Sequence, residues 1–174
     1  MLEKNNRYKL LKVFLDNPTD SFRLRELSRL SGISPPSVIN YLKEFEDKGL
    51  IRSYVKREIP FYRSERDNED FIFHKKLSIL YELQNSGLIA FLWDKLSPEA
   101  IILYGSCAKG ESTEESDIDI FIVGKERKIS LENYREKLNK EIHLMFEEDP
   151  KKIPKELKNN LINGIVLKGY LKLF

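Results

Sequence analysis

A chain of 174 residues, 41% hydrophobic and 33% charged, has enough apolar side chains for a real core, and its length fits one large or two small domains. Its single cysteine, Cys107, excludes an internal disulfide and a cysteine-based zinc cluster. No apolar run is long enough to span a bilayer and no charged-then-apolar leader opens the chain, so a cytoplasmic protein with no membrane partner is expected.

The net charge of +2 is unevenly spread. Residues 1–66 hold 14 Lys and Arg against 9 Asp and Glu, and the remainder holds 16 against 19. A basic front and an acidic back predict two modules with different partners. In the front, Leu10, Leu11, Phe14 and Leu15 give helical spacing over 6–17, closed by Asn17-Pro18. A second helix is predicted over Leu24–Leu30 and ends at Ser31-Gly32. A third is capped by Ser34, carries Pro35 or Pro36 in its first turn and runs to Lys48, with Gly49 as its stop. Val38, Ile39, Leu42 and Phe45 are its expected buried stripe. Two strands follow, Leu50–Val55 and Phe61–Ser64, joined by a basic turn over Lys56–Pro60.

Helix, glycine-containing turn, helix is the helix-turn-helix pattern, and the two strands make a wing. Leu30–Ser34 through Leu42, with Gly49-Leu50-Ile51, resembles the winged helix-turn-helix domains of small prokaryotic transcription regulators. That resemblance implies a double-stranded DNA partner, read as a homodimer. The third helix would offer Ser34, Ser37, Asn40, Tyr41 and Lys43 to the major groove. The wing would offer Arg52, Lys56 and Arg57 to phosphates or the minor groove. Winged helices also serve in protein–protein contact, and Glu44, Glu46 and Asp47 at the far end of the helix suit that alternative.

Arg66–Asp70 is charged and lacks apolar residues, which marks a boundary. Two helices are expected beyond it, Phe71–Asn85 and Leu88–Leu96, broken by Ser86-Gly87. His74 has no visible metal-ligand partners and Trp93 reads as core or interface. The predicted domains are 1–66, a winged helix-turn-helix; 67–97, a helical connector; and 98–174, the back module.

The chemistry concentrates in Ile101–Val123. Ile101–Tyr104 is short and rich in branched and aromatic residues, so it reads as a buried strand. Gly105 permits unusual backbone angles and close approach of a ligand. Ser106 is the expected N-cap of a short helix through Lys109, stopped by Gly110, and free N–H groups at such a start attract phosphate. On the next strand Asp117 and Asp119 lie two apart and share a face. Like charges so close call for a cation between them. Paired oxygens beside a phosphate cradle suit Mg²⁺, the equipment of metal-assisted nucleotidyl transfer. A strand, a turn and an acidic loop with no ligand would explain each feature singly, but not their combination.

Gly105-Ser106, ten residues, then Asp117-x-Asp119 resembles the signature of the DNA polymerase β-like nucleotidyltransferase superfamily, and most closely its minimal nucleotidyltransferases. Lys109-Gly110-Glu111 and Glu115-Ser116 agree with the same pattern. The likeness covers about Leu88 to Phe174. It implies an α+β chain whose winged helix is joined by helices to an α/β nucleotidyltransferase-like domain with a mixed sheet. It also implies that Gly105, Ser106 and Lys109 hold the triphosphate of ATP or another nucleoside triphosphate, and that Asp117 and Asp119 hold Mg²⁺ or Mn²⁺. A protein acceptor such as a toxin is implied as well.

The rest of the chain reads as a charged turn at 124–128, a helix over Leu131–Lys140, a strand over Glu141–Phe146, a helix over Pro154–Asn163 and a closing apolar segment from Ile165 to Leu171. Lys125 or Lys128 is either simply solvated or within reach of a triphosphate. The family places a third carboxylate on the strand that here reads Ile142-His143-Leu144. His143 stands in its place, either as a neutral base or as a structural residue, and it is a poor Mg²⁺ ligand. Glu141, two residues earlier, is the other acid within reach. Two main readings follow. One is an enzyme using Asp117, Asp119 and His143. The other is a DNA-binding regulator whose back module senses a nucleotide or dimerises without turnover. A third, an interaction module with a decayed site, sits poorly with intact Gly-Ser and Asp-x-Asp.

Overall fold

The computed structural model describes residues 4–149 and 152–171. The chain divides into two compact units, Met1–Lys75 and Lys76–Phe174.

In the first unit α1 (Asn6–Asp16), α2 (Leu24–Ser31) and α3 (Pro35–Asp47) precede a hairpin of β2 (Ile51–Lys56) and β3 (Ile59–Ser64). Leu10, Phe14, Leu27, Val38, Leu42, Phe45 and Ile51 form its core. Truncating a buried ring such as Phe14 or Phe45 in a core of this kind costs about 3–5 kcal/mol. Ile39 is not part of this core: it is 51% exposed. Val38, Leu42 and Phe45 at i, i+4 and i+7 already fill the inward stripe, and Ile39 is turned about 100° away from Val38.

The expected turn over Lys56–Pro60 is shorter. Lys56 ends β2, Ile59 begins β3, and only Arg57 and Glu58 lie between, both at positive φ. A two-residue turn with two positive φ values matches the right-handed twist of the flanking strands. A strand the sequence did not announce, β1 (Ser21–Phe22), pairs with β3, giving the order β1-β3-β2. The helix α4 (Glu69–Ser86) crosses the division. Its first turns join the first core: Phe71 is buried there, and the Lys75 ammonium donates to the Leu15 carbonyl near the C-terminus of α1.

The second unit is built on a four-stranded mixed sheet of order β6-β5-β4-β7. The strands are β4 (Ala100–Tyr104), β5 (Ile118–Val123), β6 (Ile142–Glu147) and β7 (Ile165–Gly169). β5 runs antiparallel to β4 and parallel to β6, and β7 runs antiparallel to β4. The parallel pair needs a crossover, which contains α7 (Glu132–Leu138). Alternation sorts the side chains. Ile101, Leu103, Ile118, Ile120 and Ile122 pack with Leu88, Leu92 and Leu96 of α5 (Leu88–Leu96). Ala100, Ile102, Phe121 and Val123 pack with Leu161 of α8 (Lys155–Ile162). Asp117 and Asp119 have the parity of Phe121 and so belong to the α8 face.

Among the described residues no helix is long and apolar enough to cross a membrane.

Candidate active site at the end of the central strands

β4 ends on Tyr104, and the chain turns at Gly105, whose φ is +71°. The short helix α6 (Gly105–Lys109) starts there, two residues earlier than a Ser106 N-cap would place it. Tyr104 is therefore the N-cap, with no side-chain cap bond, and Ser106 lies inside the first turn. Gly110, at φ +77°, stops the helix as expected.

The register of the sheet brings the acids to this turn. Tyr104 lies opposite Asp119, and Asp119 lies beside His143 on β6. A Cβ built on Gly105 would fall on Asp119 Oδ2. Glycine is thus required at 105 for its backbone angle and for the carboxylate pressed against it. His143 Nε2 stands 3.2 Å from Asp117 Oδ2, and both side chains reach solvent. Gly105, Asp117, Asp119 and His143 therefore meet at one end of the central strands.

The electrostatics agree with that crowding. Burial holds the Asp119 carboxyl above its ordinary value; His143 opposes that rise and the Asp117 charge adds to it. Burial, and then the charge of Asp119, push the Tyr104 phenol up. Two carboxylates leave most of a coordination sphere to water and phosphate oxygens, which is how Mg²⁺ is commonly held. Among the described residues, no group of three or more His, Cys, Asp or Glu side chains could enclose a metal on its own. The residues present fit a hard divalent cation shared with a phosphate ligand, not a closed protein cage.

Of the other residues singled out in the sequence, Glu141 and Cys107 have partners of their own. Lys109 is exposed at the C-terminal end of α6, four residues beyond Gly105. The Glu141 carboxylate pairs with Arg135 Nε of α7 at 3.1 Å. Cys107 is buried and its thiol donates to the Asp117 carbonyl at 3.3 Å, a packing and tethering role.

In the first unit Ser34, Asn40 and Lys43 are exposed on or just before α3, with Ser37 half-buried and 3.1 Å from the Ser34 hydroxyl. Arg52, Lys56 and Arg57 are exposed on the hairpin, and Arg52 pairs with Glu65. Two further cations, Arg23 and Arg63, lie over the aromatic rings of this hairpin. Tyr54 and Phe61 stack at 5.7 Å across the strands. The Arg23 guanidinium lies 4.9 Å from the centre of the Phe61 ring and that of Arg63 lies 5.6 Å from the centre of Tyr54. The signal was present in the alternation: Arg52, Tyr54 and Lys56 pair in register with Arg63, Phe61 and Ile59, on one face.

Comparison with known proteins gives the class of each unit. Residues 87–170 match the family described as polymerase beta, nucleotidyltransferase, and residues 4–52 match winged helix-turn-helix DNA-binding domains. The chain therefore joins a winged helix-turn-helix to a nucleotidyltransferase domain of the polymerase β family. A relative from Methanocaldococcus jannaschii, named "Putative protein adenylyltransferase", is 47% identical over 60 residues. The matched segment is 34% of this chain and 49% of the relative, so the chain spans about half the length of the curated relative it matches. Domains of this family act on a nucleoside triphosphate with the help of divalent metal.

Proposed function

We propose that this protein binds ATP or another nucleoside triphosphate with Mg²⁺ or Mn²⁺ and transfers the nucleotidyl group to a hydroxyl acceptor on a protein. The observation that carries this reading is the Asp119 carboxylate seated on the Gly105 turn, with Asp117 beside it. Gly105 and Ser106 receive the phosphates through the open N–H groups of the turn, and Lys109 adds positive charge nearby. Asp117 and Asp119 hold the cation, which when bound neutralises triphosphate charge and favours loss of pyrophosphate. With Nε2–H turned to the Asp117 carboxylate, His143 takes the acceptor hydroxyl proton on Nδ1 as the acceptor oxygen bonds to the α-phosphorus and the bond to pyrophosphate breaks. The choice of ATP and of a protein acceptor is supported by the name of the relative. The front unit docks on duplex DNA through α3 and the wing, as a homodimer.

A second reading has a specific observation behind it. β6 carries His143 where the family places an acid, and Glu141 is held by Arg135. The back unit would then bind nucleotide without turnover and report it to the DNA-binding unit. Incubating the protein with α-labelled ATP, Mg²⁺ or Mn²⁺ and cell lysate separates the two. Label on a protein band supports the transferase. Cation-dependent nucleotide binding with no transferred label supports the sensor.

A further inference from the structure

Asp117 lies one residue before the first paired residue of β5, at the end of the 110–117 loop, so its carboxylate angle depends on what holds that loop. Lys140 holds it. Its Nζ donates to the carbonyl oxygens of Thr113 at 2.9 Å, Ser116 at 3.0 Å and Glu114 at 3.3 Å. The three donors of one ammonium are directed at three carbonyls, an arrangement otherwise given to a bound cation. Inside the loop the Thr113 amide donates to Ser116 Oγ at 2.8 Å. On the other side the Cys107 thiol donates to the next carbonyl, that of Asp117. Consecutive carbonyls at 116 and 117 are thus gripped from both sides.

The placement of Lys140 is itself built. Asn139 ends α7 at φ +49°, a conformation asparagine tolerates better than most residues. This left-handed residue turns the chain out of α7. The Lys140 amide returns to the Arg135 carbonyl at 3.3 Å, and Ile118 donates to the Glu141 carbonyl at 2.8 Å. Lysine suits the task better than arginine, since a compact point charge can serve three converging oxygens where a planar fork cannot.

We propose that Lys140 is a positioning residue for Asp117: its ammonium closes the 113–117 loop and fixes the angle at which the Asp117 carboxylate meets Asp119 and a cation-bound triphosphate. This rests on the nucleotidyltransferase reading of the site. The test uses the full chain with Lys140→Met, and three measurements: the Mg²⁺ dependence of ATP binding by calorimetry, amide hydrogen exchange over 113–117, and the thermal midpoint. Half-saturating Mg²⁺ is expected to rise about tenfold, as for loss of a group that orients a metal ligand. Exchange over 113–117 speeds up, and the midpoint stays within a few degrees. Lys140→Arg, which keeps the charge and two of the bonds, recovers part of the Mg²⁺ dependence.

Unchanged Mg²⁺ dependence in Lys140→Met, with or without a lowered midpoint, overturns the proposal and leaves a purely structural lysine. If Lys140→Met does not fold, Lys140→Gln is read by the same criteria. An unmutated chain that binds no Mg²⁺-dependent ATP sinks the reading of the site itself. The clamp then stands or falls on loop exchange alone, and unchanged exchange ends it as well.

Discussion

Asp119 Oδ2 occupies the space that a Cβ on residue 105 would need. This close approach ties the turn after β4 to the first half of β5. It also makes Gly105→Ala a sharp probe. The variant must strain a +71° φ, at a cost of about 1–3 kcal/mol, and must push the carboxylate aside. Urea unfolding should report that loss, and calorimetry should show Mg²⁺-dependent nucleotide affinity falling at least about tenfold.

Asp119→Asn separates function from stability. Burial disfavours the charged form of Asp119, so the neutral amide should leave the metal-free fold as stable as before or more so. Thermal unfolding without divalent cation checks this. Cation-dependent nucleotide binding in the same variant should be lost.

The same shift fixes the sign of a pH dependence. The folded chain keeps the Asp119 proton to higher pH than the unfolded chain does, because burial raises its pKa. Its contribution to metal-free stability is full below the ordinary carboxylate value and is lost as pH rises through the raised folded value. Cation binding runs the other way, since the proton must leave first, and strengthens over that same window. Midpoints of thermal unfolding taken across the acidic range, with and without Mg²⁺, should diverge as pH rises.

His143 stands 3.2 Å from Asp117 but at the solvent edge. If it takes the acceptor proton, His143→Gln should lower kcat by about 10²–10⁴ while nucleotide binding stays within a few-fold. Equal losses in binding and turnover would assign it to holding Asp117 instead.

On the first unit, Arg23→Ala with Arg63→Ala should weaken DNA binding and lower its salt slope by about one per phosphate contact removed. Arg52→Ala with Lys56→Ala should do the same if the wing tip also touches the backbone. A fluorescence-anisotropy titration at several salt concentrations reads both pairs.

Much of this was legible because it is local. Three helices, the hairpin and the strand–turn–strand of the second unit follow from periods of 3.6 and 2 and from Gly32, Gly87 and Gly110 as stops. The shared face of Asp117 and Asp119 needs only alternation. What was not legible depends on contacts between distant segments. β1 is two residues long and exists only because β3 pairs with it. Glu141 is drawn off by Arg135, and Arg23 reaches Phe61 from another element. Lys140 looks like one more surface lysine until the 113–116 carbonyls are in place around it. Ile39 is exposed although its local pattern matches the core stripe, because an apolar residue beside a full stripe has the same spacing as one within it.

The most direct test of the central claim is calorimetric titration of ATP into the unmutated chain and into Asp117→Ala/Asp119→Ala, each with and without Mg²⁺. The account predicts one cation-dependent site in the unmutated chain and none in the double variant, with both chains folded by circular dichroism. Equal binding by the two chains, or binding indifferent to Mg²⁺, would contradict it.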